Sequence, residues 1–287
     1  MIDLVQPIIN GILLGGLYAL VAVGMSMMFG IVRLVNLAHG DLMILSAYLA
    51  FVLTSSMGIH PLLTLILVIP AMFVIGYCVQ KYLLNRVLGN DMEPPLLVAF
   101  GISIIAQNLM ILVFSPDAQS LNSSLAIASV TLPMGISVSV LYVIGFVASI
   151  VVVFLLQMFF KHSYMGRAIR AASDDEMAAQ LNGVFTKRTY ATAMGIAMMT
   201  ASIAGVLIGM MFTFYPYTGS QYMLIAFGVV VIGGLGSIKG VFAGGIILAL
   251  AQLLGAHFFG PGYQLLCGYL VLLVVLAVRP QGIFGTV

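Results

Sequence analysis

Charged side chains are scarce in this chain. Only 6% of its 287 residues are Asp, Glu, Lys or Arg, whereas 62% are hydrophobic. An average soluble domain carries about 25% charged residues, and so few charges do not cover the surface of a water-soluble protein of this size. The shortage excludes a soluble enzyme and a disordered scaffold. The net charge is only +2, so the chain has no basic patch of the kind that nucleic-acid binding requires, and a nucleic-acid-binding protein is excluded as well.

Cysteine pairs and enzyme motifs are lacking as well. The two cysteines, Cys78 and Cys267, lie in apolar runs, and so small a number suggests no disulfide framework and no cysteine-based metal site. The four histidines are scattered along the chain, and no two have the spacing of metal ligands. The segment 234–240 departs from a phosphate-binding loop, because Ile238 precedes Lys239 and a glycine follows it. We therefore predict no catalytic residue, no metal and no cofactor in this chain.

Long apolar runs are what the sequence has in abundance. Charges and polar or glycine–proline breaks divide the chain into nine hydrophobic segments. A spanning helix needs about 20 apolar residues, and these runs are apolar on all faces, unlike the alternating strands of a β-barrel. The sequence therefore predicts an all-α polytopic membrane protein with one transmembrane domain over residues 1–287.

One of the nine segments, 223–238, is short and ends in glycines. It is either a ninth crossing or a broken or re-entrant helix, so the prediction is eight or nine hydrophobic helices. Lys and Arg concentrate in cytoplasmic loops of membrane proteins. With the N-terminus outside and the C-terminus inside, all ten Lys and Arg residues fall in inside loops, so this orientation is the one we predict.

A polar stretch at 33–41 separates two apolar segments. Asn36, His39, Gly40 and Asp41 stand here between strongly apolar runs. One interpretation is a capped, solvated cytoplasmic turn, because an Asp near a helix start caps and neutralises the helix N-terminus. The other is an irregular segment that lines a pathway or its inner gate, since unwound backbone at membrane depth is tolerated only inside protein or beside a cavity.

A second interruption resembles the first one loosely. Gly233, Gly234, Gly236 and Ser237 follow an apolar segment, and a glycine-rich segment comes after them. Such a pair of interruptions suggests a structural repeat, and repeat transporters bind or gate their substrates at paired interrupted helices. Both interruptions are therefore candidate pathway or gate segments.

The longest cytoplasmic loop of this prediction, 161–188, carries helix-capping signals. A capping-box pattern with acids in the first turn is formed by Ser173, Asp174, Asp175 and Glu176. Gly183 fits a C-cap, so the pattern predicts a short helix over 174–182 with Ser173 as its N-cap. This helix is either a surface element without a partner or a docking helix for a separate cytoplasmic protein that supplies energy.

Short motifs are spread along the chain from residue 10 to residue 285. They are NG at 10–11, GLYAL at 16–20, FG at 29–30, NLAHGDLM at 36–43, GRAIRA at 166–171, AAQLNG at 178–183, GGLGS at 233–237 and RPQGIFG at 279–285. Together they resemble the permeases of branched-chain amino acid ABC transporters. The departures are small: Leu37 stands where the family usually has Phe, and the acidic loop reads Asp-Asp-Glu-Met.

This resemblance implies partners that the composition does not reveal. It implies a second, different permease subunit, two cytoplasmic ATPase subunits that bind the ATP, and an extracytoplasmic binding protein that delivers leucine, isoleucine or valine. It also implies a bacterial inner membrane, with membrane lipid around the helices, and a coupling role for 173–183. Permeases for urea, amides or other amino acids share much of this pattern and stay an alternative. A secondary transporter is the less favoured alternative, because few ionisable groups lie within the apolar segments.

Overall fold

The computed structural model describes residues 2–32, 35–89, 93–132 and 136–285 of the chain. Within these residues, eight helices are long and apolar enough to cross a membrane, and a shorter apolar helix of 15 residues, Gly219–Gly233, accompanies them. The predicted all-α polytopic fold is therefore confirmed. This short helix overlaps the segment 223–238, for which the sequence left open whether it crosses the membrane.

The helices and strands are numbered here in chain order. The helices are α1 (Ile2–Val32), α2 (His39–Met57), α3 (Pro61–Cys78), α4 (Glu93–Phe114), α5 (Ser124–Ile127), α6 (Val140–His162), α7 (Tyr164–Asp174), α8 (Glu176–Leu181), α9 (Thr186–Met211), α10 (Gly219–Gly233), α11 (Ile238–Phe259) and α12 (Gln264–Val278). A π-helical turn and a 3-10 turn, Val79–Leu83 and Leu84–Arg86, continue α3. The strands β1 (Ser129–Leu132) and β2 (Ile136–Ser139) form an antiparallel hairpin, which the sequence did not predict.

Local sequence signals explain where the crossing helices break. Gly58 ends α2 in the left-handed conformation at φ 65°, and its N–H bonds the carbonyl oxygen of Thr54. Pro61 then opens α3 at a position where no N–H is needed, and the side chain of His60 accepts a hydrogen bond from the N–H of Leu62. These signals divide the apolar stretch 42–80 into two crossing helices.

The described Lys and Arg residues all lie at one end of the bundle, which we call the basic end. They are Lys81, Arg86, Lys161, Arg167, Arg170, Lys187, Arg188, Lys239 and Arg279. Hydrogen bonds between residues far apart in the sequence join the helix ends there. Asn85 donates to the carbonyl oxygen of Lys187 at 2.8 Å, and Ser173 donates to the carbonyl oxygen of Gly30 at 2.5 Å. The other end, which holds the hairpin, is called the far end. Which side of the membrane the basic end faces stays a prediction.

The chain consists of two halves with similar helix packing, and corresponding helices of the two halves run in opposite directions across the bundle. In the first half, α1 runs toward the basic end and packs extensively on α11; in the second half, α9 runs away from the basic end and packs in the same way on α3. In the most apolar stretch of each helix, 83% of α1 and 78% of α9 is buried, against 6% for α12. The helices α1 and α9 therefore form the centre, and α12 lies at the periphery.

Each half contains a helix that begins inside the bundle. The ring of His39, at the start of α2, donates from Nε2 to the carbonyl oxygen of Val21 at 2.9 Å. Val21 lies eleven residues before the end of α1 at Val32, which is about 16 Å at 1.5 Å per residue. The second such helix is α10, whose first residue, Gly219, touches Gly40 of α2.

The contacts are exchanged between the two halves, because α2 packs on α9 in the way that α10 packs on α1. In this arrangement the segment before α2 corresponds to 212–218, which precedes α10, and the pairing with the glycine-rich segment after α10 that the sequence suggested is wrong. The polar and aromatic residues of 212–218 give no sign in the sequence that the chain turns back into the bundle there.

Candidate functional site

The helices α2 and α10 begin side by side within the bundle. A Cβ atom added to Gly40 would collide with the carbonyl oxygen of Gly219, and one added to Gly219 would collide with Asp41. Glycine is required at both positions because the nearest atoms belong largely to backbone. The positive ends of two helix dipoles consequently lie close together in the interior.

The carboxylate of Asp41 lies at this junction and is 1% exposed. Two side chains of α4 donate to it: the Ser103 hydroxyl bonds Oδ2, and the Gln107 amide bonds Oδ1 at 2.9 Å. A buried charge needs hydrogen bonds and a compensating field. The donors of α4 and the two helix N-termini supply them.

The other candidate residues of the first interruption are buried as well. Asn36 and His39 are 3% and 1% exposed. The Asn36 side chain accepts from the N–H of Ala38 at 3.1 Å, and its amide contacts the sulfur of Met194 at 3.7 Å. The solvated-turn interpretation therefore does not fit residues 36 and 39–41. The neighbouring positions 33 and 34 lie outside the described residues.

The junction opens to the surface of this chain beside α10. Ser220 and Gln221 are exposed, and the Gln107 amide, which is half-buried, lies 3.2 Å from the Ser220 hydroxyl. Polar side chains at this depth are costly against lipid. This face of the bundle therefore suits contact with water or with another protein.

The residues on α4 and α10 were not predicted from the sequence. Ser103 and Gln107 are four residues apart, which places them on one face of a helix, and that spacing is a signal that a search for polar stripes finds. Ser220 and Gln221 carry no comparable signal, because they stand in a polar stretch that reads as a loop.

The second set of candidate residues lies elsewhere. Gly233 is 14 residues along α10 from Gly219, about 21 Å away, so the structure does not bring the two sets together. At the basic end Gly233 packs on Gly240, and Gly234 on the C-terminal segment at Gly285. These small residues join α10, α11 and the C-terminal segment closely.

Gly236 and Ser237 complete this basic-end junction. The Cα atom of Gly30 in α1 would lie 3.0 Å from a Cβ added to Gly236. The Ser237 hydroxyl accepts from the N–H of Gly240 at 3.1 Å and so caps α11. The glycine-rich interruption is therefore a junction of α1, α10 and α11 at the end of the bundle.

The predicted loop helix is present, but its N-cap was wrong. Asp175, not Ser173, is the N-cap of α8, and its side chain accepts from the N–H of Ala178 at 2.9 Å. Ser173 and Asp174 belong to the last turn of α7. This helix was not predicted, because the capping-box pattern places a helix start at Ser173. Met165, Ala168, Ile169 and Ala172 show the helical spacing that would have predicted it.

The six-residue helix α8 begins with Glu176 and ends before Gly183. Gly183 has φ 82°, and the N–H of Val184 bonds the carbonyl oxygen of Ala179 at 3.0 Å, so Gly183 does cap the helix in the left-handed conformation. Large apolar side chains around α8 are strongly exposed: Met177 by 74%, Leu181 by 84% and Phe185 by 75%. Exposed apolar groups this close together mark an interaction surface.

Comparisons with known proteins cover almost the whole chain. A family model described as "Branched-chain amino acid transport system / permease component" matches residues 7–277. The high-affinity branched-chain amino acid transport system permease proteins BraD of Pseudomonas aeruginosa and LivH of Escherichia coli K12 are 31% and 30% identical, over 98% of this chain and 95% of their own. The permease protein LivM of Escherichia coli K12 is 31% identical over 42% of this chain and 28% of its own. The family match runs from α1 into α12.

Proposed function

The chain belongs to the family of branched-chain amino acid transport permeases, and from this premise we propose that it imports leucine, isoleucine and valine. The names of BraD and LivH support this substrate class. The match to LivM, a second permease, supports a pairing of two different permease chains. In this proposal two ATPase subunits bind and hydrolyse ATP, an extracytoplasmic protein delivers the amino acid, and this chain of the inner membrane carries no catalytic residue.

The polar junction between α2 and α10 is the observation that carries the proposal. A zwitterion with an aliphatic side chain needs a path with a few polar groups in an apolar wall. The junction presents Gln107, Ser220 and Gln221 toward the surface of the bundle. Behind them lie the buried Asp41 and its neighbours Asn36, His39 and Gly40, which we assign to the path or its gate. The partner permease covers this face and completes the path.

A chain of contacts supports coupling between the basic end and this junction. Ser173 of α7 donates to the carbonyl oxygen of Gly30, and Gly30 packs against Gly236 before α11. From Gly233, the helix α10 runs as one rigid body to Gly219 beside Asp41. A force that the ATPase applies to the exposed surface of α8 would reach the path along this route. The coupling role of 173–183 and of 233–237 is proposed on this ground.

Uptake by the reconstituted complex tests the substrate class. Proteoliposomes that hold both permeases and both ATPase subunits should take up labelled leucine when ATP and the binding protein are present. Isoleucine and valine should compete with the leucine, whereas urea and glutamate should not. Competition by urea or glutamate at the level of isoleucine would reject the branched-chain assignment, and uptake without the ATPase subunits would indicate a secondary transporter.

The orientation makes a separate prediction. Cysteines introduced at Ile127 near the hairpin and at Met177 in α8, which are 89% and 74% exposed, should label from opposite sides. In intact cells an impermeant maleimide should label I127C from outside, and M177C only after the membrane is opened. Because Lys and Arg favour the cytoplasmic side, labelling of M177C from outside would contradict the proposed orientation.

The cap of α8 makes the coupling role testable. Gly183→Val should uncouple the ATPase, because a β-branched residue strongly disfavours positive φ and the end of α8 would fray. No atom outside the neighbouring residues lies within 4 Å of the added Cβ, so the effect comes from the backbone alone. We expect ATP hydrolysis to lose its stimulation by the loaded binding protein, while both permeases still assemble.

Gly183→Asn is the matched control, because Asn tolerates the left-handed conformation. It should retain the stimulation of ATP hydrolysis. Full stimulation and uptake with Gly183→Val would show that α8 is a surface helix without a coupling role.

A further inference from the structure

A cavity of about 640 Å³ lies at the basic end, between α1, α6, α7, the start of α11 and the C-terminal segment. Three cationic side chains from three different helices line it: Lys161 of α6, Arg170 of α7 and Lys239 of α11. No Asp or Glu of the described residues is among those that line it. The cavity therefore combines converging positive charge with space for a ligand.

The start of α11 adds to this positive field. Ser237 caps the helix and Lys239 is its second residue, so a cation stands at the positive end of the helix dipole. That placement is unfavourable by itself, because anions and not cations are stabilised at a helix N-terminus. A bound anion would offset both the dipole and the three side-chain charges.

The remaining wall of the cavity has an apolar part, formed with Met27, Phe160 and Phe284, and an uncharged polar part that includes Gln157, Ser173 and Ser237. The cavity lies at the level where α1 and α6 end and α11 begins. This level is that of the lipid headgroups if the bundle spans a bilayer. A free phosphate would use only the cationic wall, whereas a phospholipid uses both, since its acyl chains run along the apolar one. Basic pockets between transmembrane helices on the cytoplasmic side are suited to anionic headgroups.

We infer that this cavity is a binding site for the phosphate headgroup of an anionic phospholipid, held by Lys161, Arg170 and Lys239. The site lies about 20 Å from the polar junction, at the other end of α10. It borders Ser173, Gly30 and Gly236, which are the contacts of the coupling route. A lipid bound here would hold α7 against α1 and α11.

Lipid titration of the purified full chain tests the inference. Delipidated protein is titrated with phosphatidylglycerol or with phosphatidylcholine of the same acyl chains, and bound lipid is counted by native mass spectrometry. The natural chain should prefer phosphatidylglycerol. The triple variant Lys161→Gln, Arg170→Gln, Lys239→Gln should lower that affinity about 100-fold, at about fivefold for each cation, and leave phosphatidylcholine binding unchanged.

The matched control removes the same kinds of charge from the same end of the bundle. Lys81→Gln, Lys187→Gln, Arg279→Gln changes two lysines and one arginine, none of which lines the cavity. Its affinity for phosphatidylglycerol should stay close to that of the natural chain. Equal losses in both triple variants would show that only general charge attracts the lipid and would overturn the site.

Two further measurements keep the result clear. If the first triple variant does not fold, the natural chain alone decides: equal affinities for phosphatidylglycerol and phosphatidylcholine would overturn the inference. Inorganic phosphate serves as the competitor. Weak competition supports a lipid ligand, whereas tight binding of phosphate with full displacement of the lipid would assign the site to a soluble phosphate and refute the lipid assignment.

Discussion

Gly40→Val should abolish transport and lower the stability of the folded chain. The new Cβ would collide with the carbonyl oxygen of Gly219, and no rotamer change relieves a collision with backbone. Overpacking costs about 1–3 kcal/mol and occasionally more, and here α2 and α10 must move apart as whole helices. We expect leucine uptake at background level and a lower apparent melting temperature of the purified complex.

Gly101→Val is the matched control for this substitution. Gly101 also lies within a crossing helix, α4, but an added Cβ meets no atom within 4 Å. The variant should keep its uptake and its melting temperature close to those of the natural chain. Normal uptake with Gly40→Val would show that the close contact of α2 with α10 is not needed, and equal damage from Gly101→Val would indicate a general cost of valine for glycine.

The apolar runs were sufficient to predict the crossing helices. A helix in lipid must satisfy its own backbone groups, so length and hydropathy locate each crossing, and local breakers such as Gly58 and Pro61 mark where one helix ends and the next begins. The depth at which a helix begins depends instead on tertiary contacts. The start of α2 at the level of Val21 and that of α10 beside Gly40 have no local signal, because these positions are set by distant parts of the chain.

In the candidate site, too, some residues have a local sequence signal and others are placed by tertiary contacts alone. The polar residues at 36–41 were noticed because charge and amide groups are rare in an apolar chain. Their partners Ser103 and Gln107 come from a helix more than 60 residues away, and the sequence alone does not pair them with Asp41. The capping box at Ser173 misled for a related reason: several acids in a row offer several N-caps. Asp175 caps α8, whereas the Ser173 hydroxyl donates to Gly30, a distant residue that the sequence does not reveal as its partner.

Asp41→Leu should produce the second large effect. Leucine removes both acceptors from the junction, so the Ser103 hydroxyl loses its partner and the half-buried Gln107 amide keeps its contact with the Ser220 hydroxyl. A buried donor such as the Ser103 hydroxyl costs about 1–3 kcal/mol when it is left without an acceptor, and the two helix N-termini lose their counter-charge. The apparent melting temperature of the purified complex should fall and leucine uptake should cease.

Asp41→Asn separates the structural part of this effect from the part that belongs to transport. Asn keeps the size and one oxygen acceptor, and the Ser103 hydroxyl is able to rotate and accept from the new amide. Stability should therefore recover for the most part, whereas uptake should stay low if the path needs the negative charge between α2 and α10. Asp117→Asn, which removes an exposed carboxylate at the far end, serves as the control and should transport normally. Wild-type uptake with Asp41→Asn would restrict Asp41 to a structural role, because the charge would then make no contribution to the passage of the amino acid.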